Sequence, residues 1–122
     1  MKKSKMFFVC FMSVLILSTF EADTASAKWR NFSFINYSGR IVKYLYISQS
    51  GYDRWGYDIL GSSTVLGNGD SHSCRYDDRY RYFDVKVIFA DGSDAIFVNH
   101  DFRRLWRLTL FNRGGTYTIR SN

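Results

Sequence analysis

From Trp29 to Arg120 apolar and polar residues alternate in short bursts, separated by glycine, asparagine and aspartate. Phe32 and Phe34 alternate with Asn31 and Ser33, the pattern of a half-buried strand over 29–36. Residues 40–49 are apolar or aromatic on both faces: Ile41, Lys43, Leu45 and Ile47 alternate with Val42, Tyr44, Tyr46 and Ser48. That predicts a central strand. A short segment at Thr64–Leu66 and a strand over 71–76 follow. In 82–90, Phe83, Val85, Val87 and Phe89 share one face. Asp91-Gly92 then marks a hairpin, with its return strand over 93–99. Residues 100–104 read as a polar loop or helical turn. Trp106, Leu108 and Leu110 lie on the core face of a strand over 105–111, and 116–120 closes the chain. No stretch has a helical period. The prediction is all-β: a single small β-sandwich or partly closed barrel of about seven or eight short antiparallel strands.

The N-terminus follows a different pattern. Lys2, Lys3 and Lys5 precede an apolar run from Met6 to Phe20, and Ala25-Ser26-Ala27 is a small-x-small cleavage signal. This order predicts a secretory signal peptide over 1–27 and one domain over 28–122. The apolar run is shorter than the ~20 residues that span a bilayer as a helix, so no stable membrane anchor is expected after cleavage. A retained anchor is the alternative. Cys10 follows Phe7-Phe8-Val9 rather than a lipobox. The expected location is the periplasm or the medium. Only Cys74 remains after cleavage, so no internal disulfide can form. Cys74 is then either a buried, inert thiol or one half of an intermolecular bridge.

The chain carries a net charge of +6, or about +5 once the leader is removed. Eleven arginines and nine aspartates dominate the charges of the remaining domain, which has no glutamate. Arginine binds carboxylate and phosphate in a planar fork and stacks on aromatic rings. Such a surface suits anionic polymers outside the cell.

A set of spaced motifs spans Asn36 to Gly92. Asn36-Tyr37-Ser38-Gly39 is followed by Leu45-Tyr46-Ile47-Ser48, then Trp55-Gly56-x-Asp58-x-Leu60-Gly61, then Phe83-Asp84-x-x-Val87 and Asp91-Gly92. Together they resemble a family of small uncharacterised exported bacterial β proteins. Its skeleton reads N-x-[ST]-G, L-Y-I-S, W-G-x-D-x-L-G, Y-D-x-x-V and D-G. The resemblance implies an exported all-β domain and brings no catalytic residue and no ligand. Family members often pair a cysteine just before the Tyr-Asp with one late in the chain. Here Arg81 and Tyr82 occupy the first neighbourhood and Arg103 lies near the second, so the implied disulfide is absent.

Two stretches carry candidate chemistry. In SGYDRWGYDILG, residues 50–61, Trp55, Gly56, Asp58 and Gly61 read as a structural corner. The glycines permit positive φ, Asp58 can close an Asx turn on the N–H groups that follow it, and Trp55 is expected to bury itself in the fold. Sugar or peptide contact is the second reading. Calcium is the third, because Asp53 and Asp58 alone lack the close carboxylate series such a site uses. In CRYDDRYRYFD, residues 74–84, Arg75, Arg79 and Arg81 interleave with Tyr76, Tyr80 and Tyr82. With Arg103 and Arg104 they form the candidate binding surface. Stacking on tyrosine with guanidinium on anionic groups is a physical recipe for binding polyanions. The bland reading is a solvated edge whose arginines and tyrosines stack on each other.

Catalysis has little support. His72 and His100 fall in no zinc motif, no G-x-S-x-G elbow is present, and Asp77 and Asp78 are adjacent, so in a strand they face apart. A non-enzymatic exported binding module is expected, for an anionic envelope polymer, a glycan or a protein partner. The alternative is a periplasmic inhibitor or immunity-type protein that blocks another protein's cleft. No metal or cofactor is implied, and export argues against nucleic acid.

Overall fold

The computed structural model describes residues 26–122. Except for Ser26 and Ala27, the expected leader lies outside them. Seven strands follow in order: β1 (Trp29–Tyr37), β2 (Val42–Gln49), β3 (Ser71–Asp77), β4 (Tyr82–Phe89), β5 (Asp94–Asp101), β6 (Arg107–Arg113) and β7 (Thr116–Ser121). They form a four-stranded sheet, β3-β1-β6-β7, and a three-stranded sheet, β2-β4-β5. The two sheets pack face to face as a sandwich and do not close into a barrel. All pairings are antiparallel except β1 with β6, which run parallel with Phe34 opposite Leu108. The expectation of a wholly antiparallel set is corrected there.

The core is the alternate residues of both inner faces. Phe32 and Phe34 of β1, Cys74 and Tyr76 of β3, and Leu108 and Leu110 of β6 meet Leu45 of β2 and Phe83, Val85, Val87 and Phe89 of β4. Leu60, Leu66, Phe102 and Leu105 enter from the connections. Four rings cluster at one end: Phe102 lies 4.7 Å from Phe83, 5.4 Å from Tyr76 and 5.6 Å from Phe32. Four pairs within the cluster meet edge to face, Phe32 with Tyr76 and Phe102 and Tyr76 with Phe83 and Phe102, the arrangement that ring quadrupoles favour.

β2 corrects the sequence reading twice. It is an edge strand rather than a central one. A bulge between Val42 and Tyr44 also shifts its phase, so Val42 and Leu45 both point inward while Ile41 is exposed. An extra residue in a strand flips the faces that follow. The free edge of β2 is covered. Leu66 exchanges both backbone hydrogen bonds with Val42, and the Ile59 N–H donates to Leu45 O at 2.8 Å. The segment at 64–66 is therefore a single bridge rather than a strand. Residues 100 and 101 complete β5 instead of opening a loop.

Trp106 overturns another expectation. It precedes β6 and is 58% exposed, while Leu105, before it, fills the core. Arg104 has φ +60°. That left-handed turn brings Leu105 inward and leaves the indole outside.

Candidate functional site

The arginines of the expected surface are mostly held by aspartates. Asp77 accepts the Arg79 guanidinium at 2.6 Å and also its backbone N–H and that of Lys28. The Arg79 bond is the chief reason the Asp77 carboxyl falls to about 2. Asp101 accepts Arg81 at 3.0 Å and lies 3.8 Å from Arg103. Arg81 also lies 5.1 Å over the Tyr82 ring, and Arg79 lies 5.4 Å over Tyr80. Arg104 is exposed in its turn. Tyr76 is not on this surface at all: it is 2% exposed within the ring cluster. Its hydroxyl sits by the Leu105 backbone without a hydrogen bond of normal geometry. Arg79, Arg81 and Arg103 are thus ion-paired, with Arg75 pointing elsewhere.

Arg75 belongs to the outer face of the four-stranded sheet. Strand alternation and register place Asn31, Ser33, Ile35 and Tyr37 of β1 beside Arg107, Thr109, Phe111 and Arg113 of β6, with Arg120 of β7 opposite Thr109 and Arg75 of β3 opposite Asn31. Each of the four arginines lies over a ring: Arg75 over Trp29 at 4.3 Å, Arg107 over Trp106 at 4.5 Å, and Arg120 and Arg113 over Phe111 at 5.3 and 5.7 Å. Tyr37 stacks on Phe111. Outward positions of β1, β6 and β7 include no aspartate, and the one on β3, Asp77, is held by Arg79. Ile35, Tyr37, Arg107, Thr109, Phe111 and Arg120 enclose a shallow hollow on this face. Of this face, the sequence analysis singled out only Arg75 as a binding residue. The signal for Arg113 and Arg120 was a basic residue at outward positions of the last hairpin.

The glycine-rich stretch forms the wall of a second feature. Asp58 Oδ1 accepts N–H bonds from Leu60 at 3.1 Å and from Leu45 at 2.9 Å. Gly56 and Gly61 have φ near +80°, a conformation that other residues adopt at a cost. The turn delivers Leu60 to the core and runs along β2. Trp55 is only half-buried. It stands 5.8 Å from the Lys86 ammonium, and its expected burial is corrected. A cleft of about 290 Å³ opens between this stretch and β3. Trp29, Tyr52, Trp55, Tyr57 and Tyr80 rim it, Ile47, Ile59, Tyr76 and Phe83 floor it, and Arg54, Arg75 and Asp77 are its charges.

Groups with nucleophilic or metal-ligating chemistry are set apart from these surfaces. Cys74 is buried and free, and burial pushes its thiol up to about 12. Burial lowers the His100 pKa. Among the described residues no three His, Cys, Asp or Glu side chains gather as a metal site. No family model matches the chain, and no curated protein matches it. Three solved chains match. One of these, "Trapped Toxin", aligns with 79% of this chain at 17% identity and a TM-score of 0.46, and this chain spans 23% of its length.

Proposed function

We propose that the protein is a non-enzymatic binding module that holds an anionic polymer along the outer face of its four-stranded sheet. The observation that carries this reading is the row Arg75, Arg107, Arg113 and Arg120, each within about 6 Å of an aromatic ring centroid and none ion-paired with a carboxylate among the described residues, on a face whose one aspartate is already held by Arg79. A guanidinium held beside a ring and not paired with a carboxylate keeps N–H groups for an anion. Four like charges on one sheet face raise the local potential and draw in a polyanion. Arg79 and Arg81 also lie over rings, so what sets the row apart is that no carboxylate among the described residues holds its arginines.

The thiol of Cys74, protonated at neutral pH, and the ion-paired carboxylates Asp77 and Asp101 support a binding role over a catalytic one. Export of the domain is part of the proposal, since its polymer then belongs to the cell envelope. The test is retention on immobilised heparin and polygalacturonate under a salt gradient. The protein is expected to bind both and to elute as salt screens the contacts. Replacing Arg107, Arg113 and Arg120 together with glutamine is expected to abolish retention. Unchanged retention by a folded triple variant would end this reading.

A further inference from the structure

The cleft beside β3 shares Arg75 with the basic face. Arg75 lines the cleft while standing among the outward residues of the sheet. Its guanidinium carbon lies 4.3 Å over the Trp29 ring, and no carboxylate among the described residues pairs with it, so its N–H groups are left to meet a ligand. The remaining rim is aromatic: Tyr52 and Tyr57 are exposed and Trp55 half-buried. The volume is at the lower end of the ~300–1,000 Å³ of ligand pockets. It accommodates one ring-sized group rather than a polymer. Aromatic walls take the C–H face of a sugar ring, and Ser48 and Gln49 supply polar groups for its hydroxyls. Asp77, the acid in the lining, is already held by Arg79 and by the Lys28 N–H. An added carboxylate therefore meets arginine rather than an open negative charge.

We infer that this cleft binds a single uronic acid ring of an acidic glycan, its apolar face against Tyr52 and Trp55 and its carboxylate on Arg75. The inference rests on the anionic-polymer reading and adds to it a site that recognises one sugar unit.

The three tryptophans separate the two claims. Trp55 reports the cleft, Trp106 reports the outer face beside Arg107, and Trp29 borders both. The experiment follows the indole N–H signals of the nitrogen-15-labelled protein during titration with a galacturonic acid trisaccharide, and with the neutral galactose trisaccharide as control. The expected result is saturable movement of Trp55 and Trp29 with the acidic sugar, little movement of Trp106, and at least tenfold weaker binding of the neutral one, the scale of one charged hydrogen bond. Arg75→Gln should erase that preference with the backbone spectrum otherwise preserved, and Tyr52→Ala should weaken both sugars. Movement of Trp106 alone overturns the cleft site and leaves the basic face standing. Equal response to the neutral sugar overturns the carboxylate pairing. Movement of Trp55 by a proline-rich peptide, with none from either sugar, also overturns the inference. No movement with the trisaccharide or with polygalacturonate overturns the face and the cleft together.

Discussion

The carboxylate of Asp58 accepts the backbone N–H of Leu45 at 2.9 Å, across thirteen residues of chain. The same oxygen takes the N–H of Leu60 at 3.1 Å. One side chain thus closes a turn and caps the open edge of β2, which would otherwise offer unpaired backbone groups to another strand. Asp58→Ala is expected to lower stability by about 1–3 kcal/mol, the cost of leaving such groups without a partner. Asp58→Asn keeps an acceptor oxygen and should cost less. Urea denaturation of both variants measures the difference, and a neutral Asp58→Ala would show that the cap is dispensable.

Asn36, near the end of β1, is a buried amide with five side-chain hydrogen bonds. Its Nδ2 donates to the carbonyls of Arg40 at 2.7 Å, Leu66 at 2.9 Å and Gly67 at 3.2 Å. Its Oδ1 accepts the Ser38 N–H at 3.0 Å and the Ser38 hydroxyl at 2.6 Å. The side chain is fully buried, so it ties the β1–β2 turn to the segment before β3. Asn36→Asp swaps two donors for a charge facing three carbonyls. The expected loss is about 3 kcal/mol or more, seen as a large drop in the urea midpoint, while Ser38→Ala should cost about 1 kcal/mol.

What was legible in the sequence follows the range of the interaction. The Asp91-Gly92 hairpin is local turn chemistry, and Gly92 does sit at φ +90° between β4 and β5. The inward faces of β1 and β4 alternate as read. The bulge that shifts β2 has no composition signal, because residues 41–48 are largely apolar or aromatic in either phase. The parallel partnership of β1 with β6 joins segments some seventy residues apart, and no local pattern encodes a strand's neighbour. Asn36 was read only as the last residue of the first strand although it is a buried hub, since two of the carbonyls it serves, Leu66 and Gly67, come from the distant loop. For the candidate site, charge and aromatic content were visible. The pairing of Arg81 with Asp101, twenty residues on, was not, and it is this pairing that separates the neutralised arginines from the outward row.

Acid should destabilise the protein in two stages. Burial depresses the His100 pKa in the fold, so its contribution is complete above its ordinary ~6.5 and fades as pH falls below it. Asp77 is held down to about 2, chiefly by Arg79. Its contribution is complete above the unfolded carboxylate value of ~3.9 and is lost as pH falls from there toward 2. Asp101 and Asp91 are lowered as well and act in the same direction. Urea midpoints from pH 8 to 2 should decline through both windows. Arg79→Gln should flatten the lower limb and leave the upper one in place.

Cys74 lies between Phe32 across β1 and the interior, with a thiol near 12. It should not react with a disulfide reagent in the native protein, and it should react fully in denaturant. The rate in intermediate conditions should track unfolding. Rapid native labelling, or a reducible dimer, would show that the thiol is accessible.

The two groups of arginines make the sharpest contrast. Arg79 and Arg81 neutralise Asp77 and Asp101, so glutamine at both positions removes two positive charges and leaves Asp77 without its guanidinium and Asp101 with Arg103 alone. A surface that binds by net charge alone would weaken as much from this double change as from Arg107→Gln with Arg120→Gln. A surface that binds through arginines left without a carboxylate would not, because Arg107 and Arg120 stand over Trp106 and Phe111 with no carboxylate ion pair among the described residues. The expected order of salt needed to elute the protein from polygalacturonate is wild type, then the Arg79/Arg81 variant slightly below it, then the Arg107/Arg120 variant far below. Since both variants lose the same formal charge, equal elution would assign binding to overall charge and remove the special role of the sheet face.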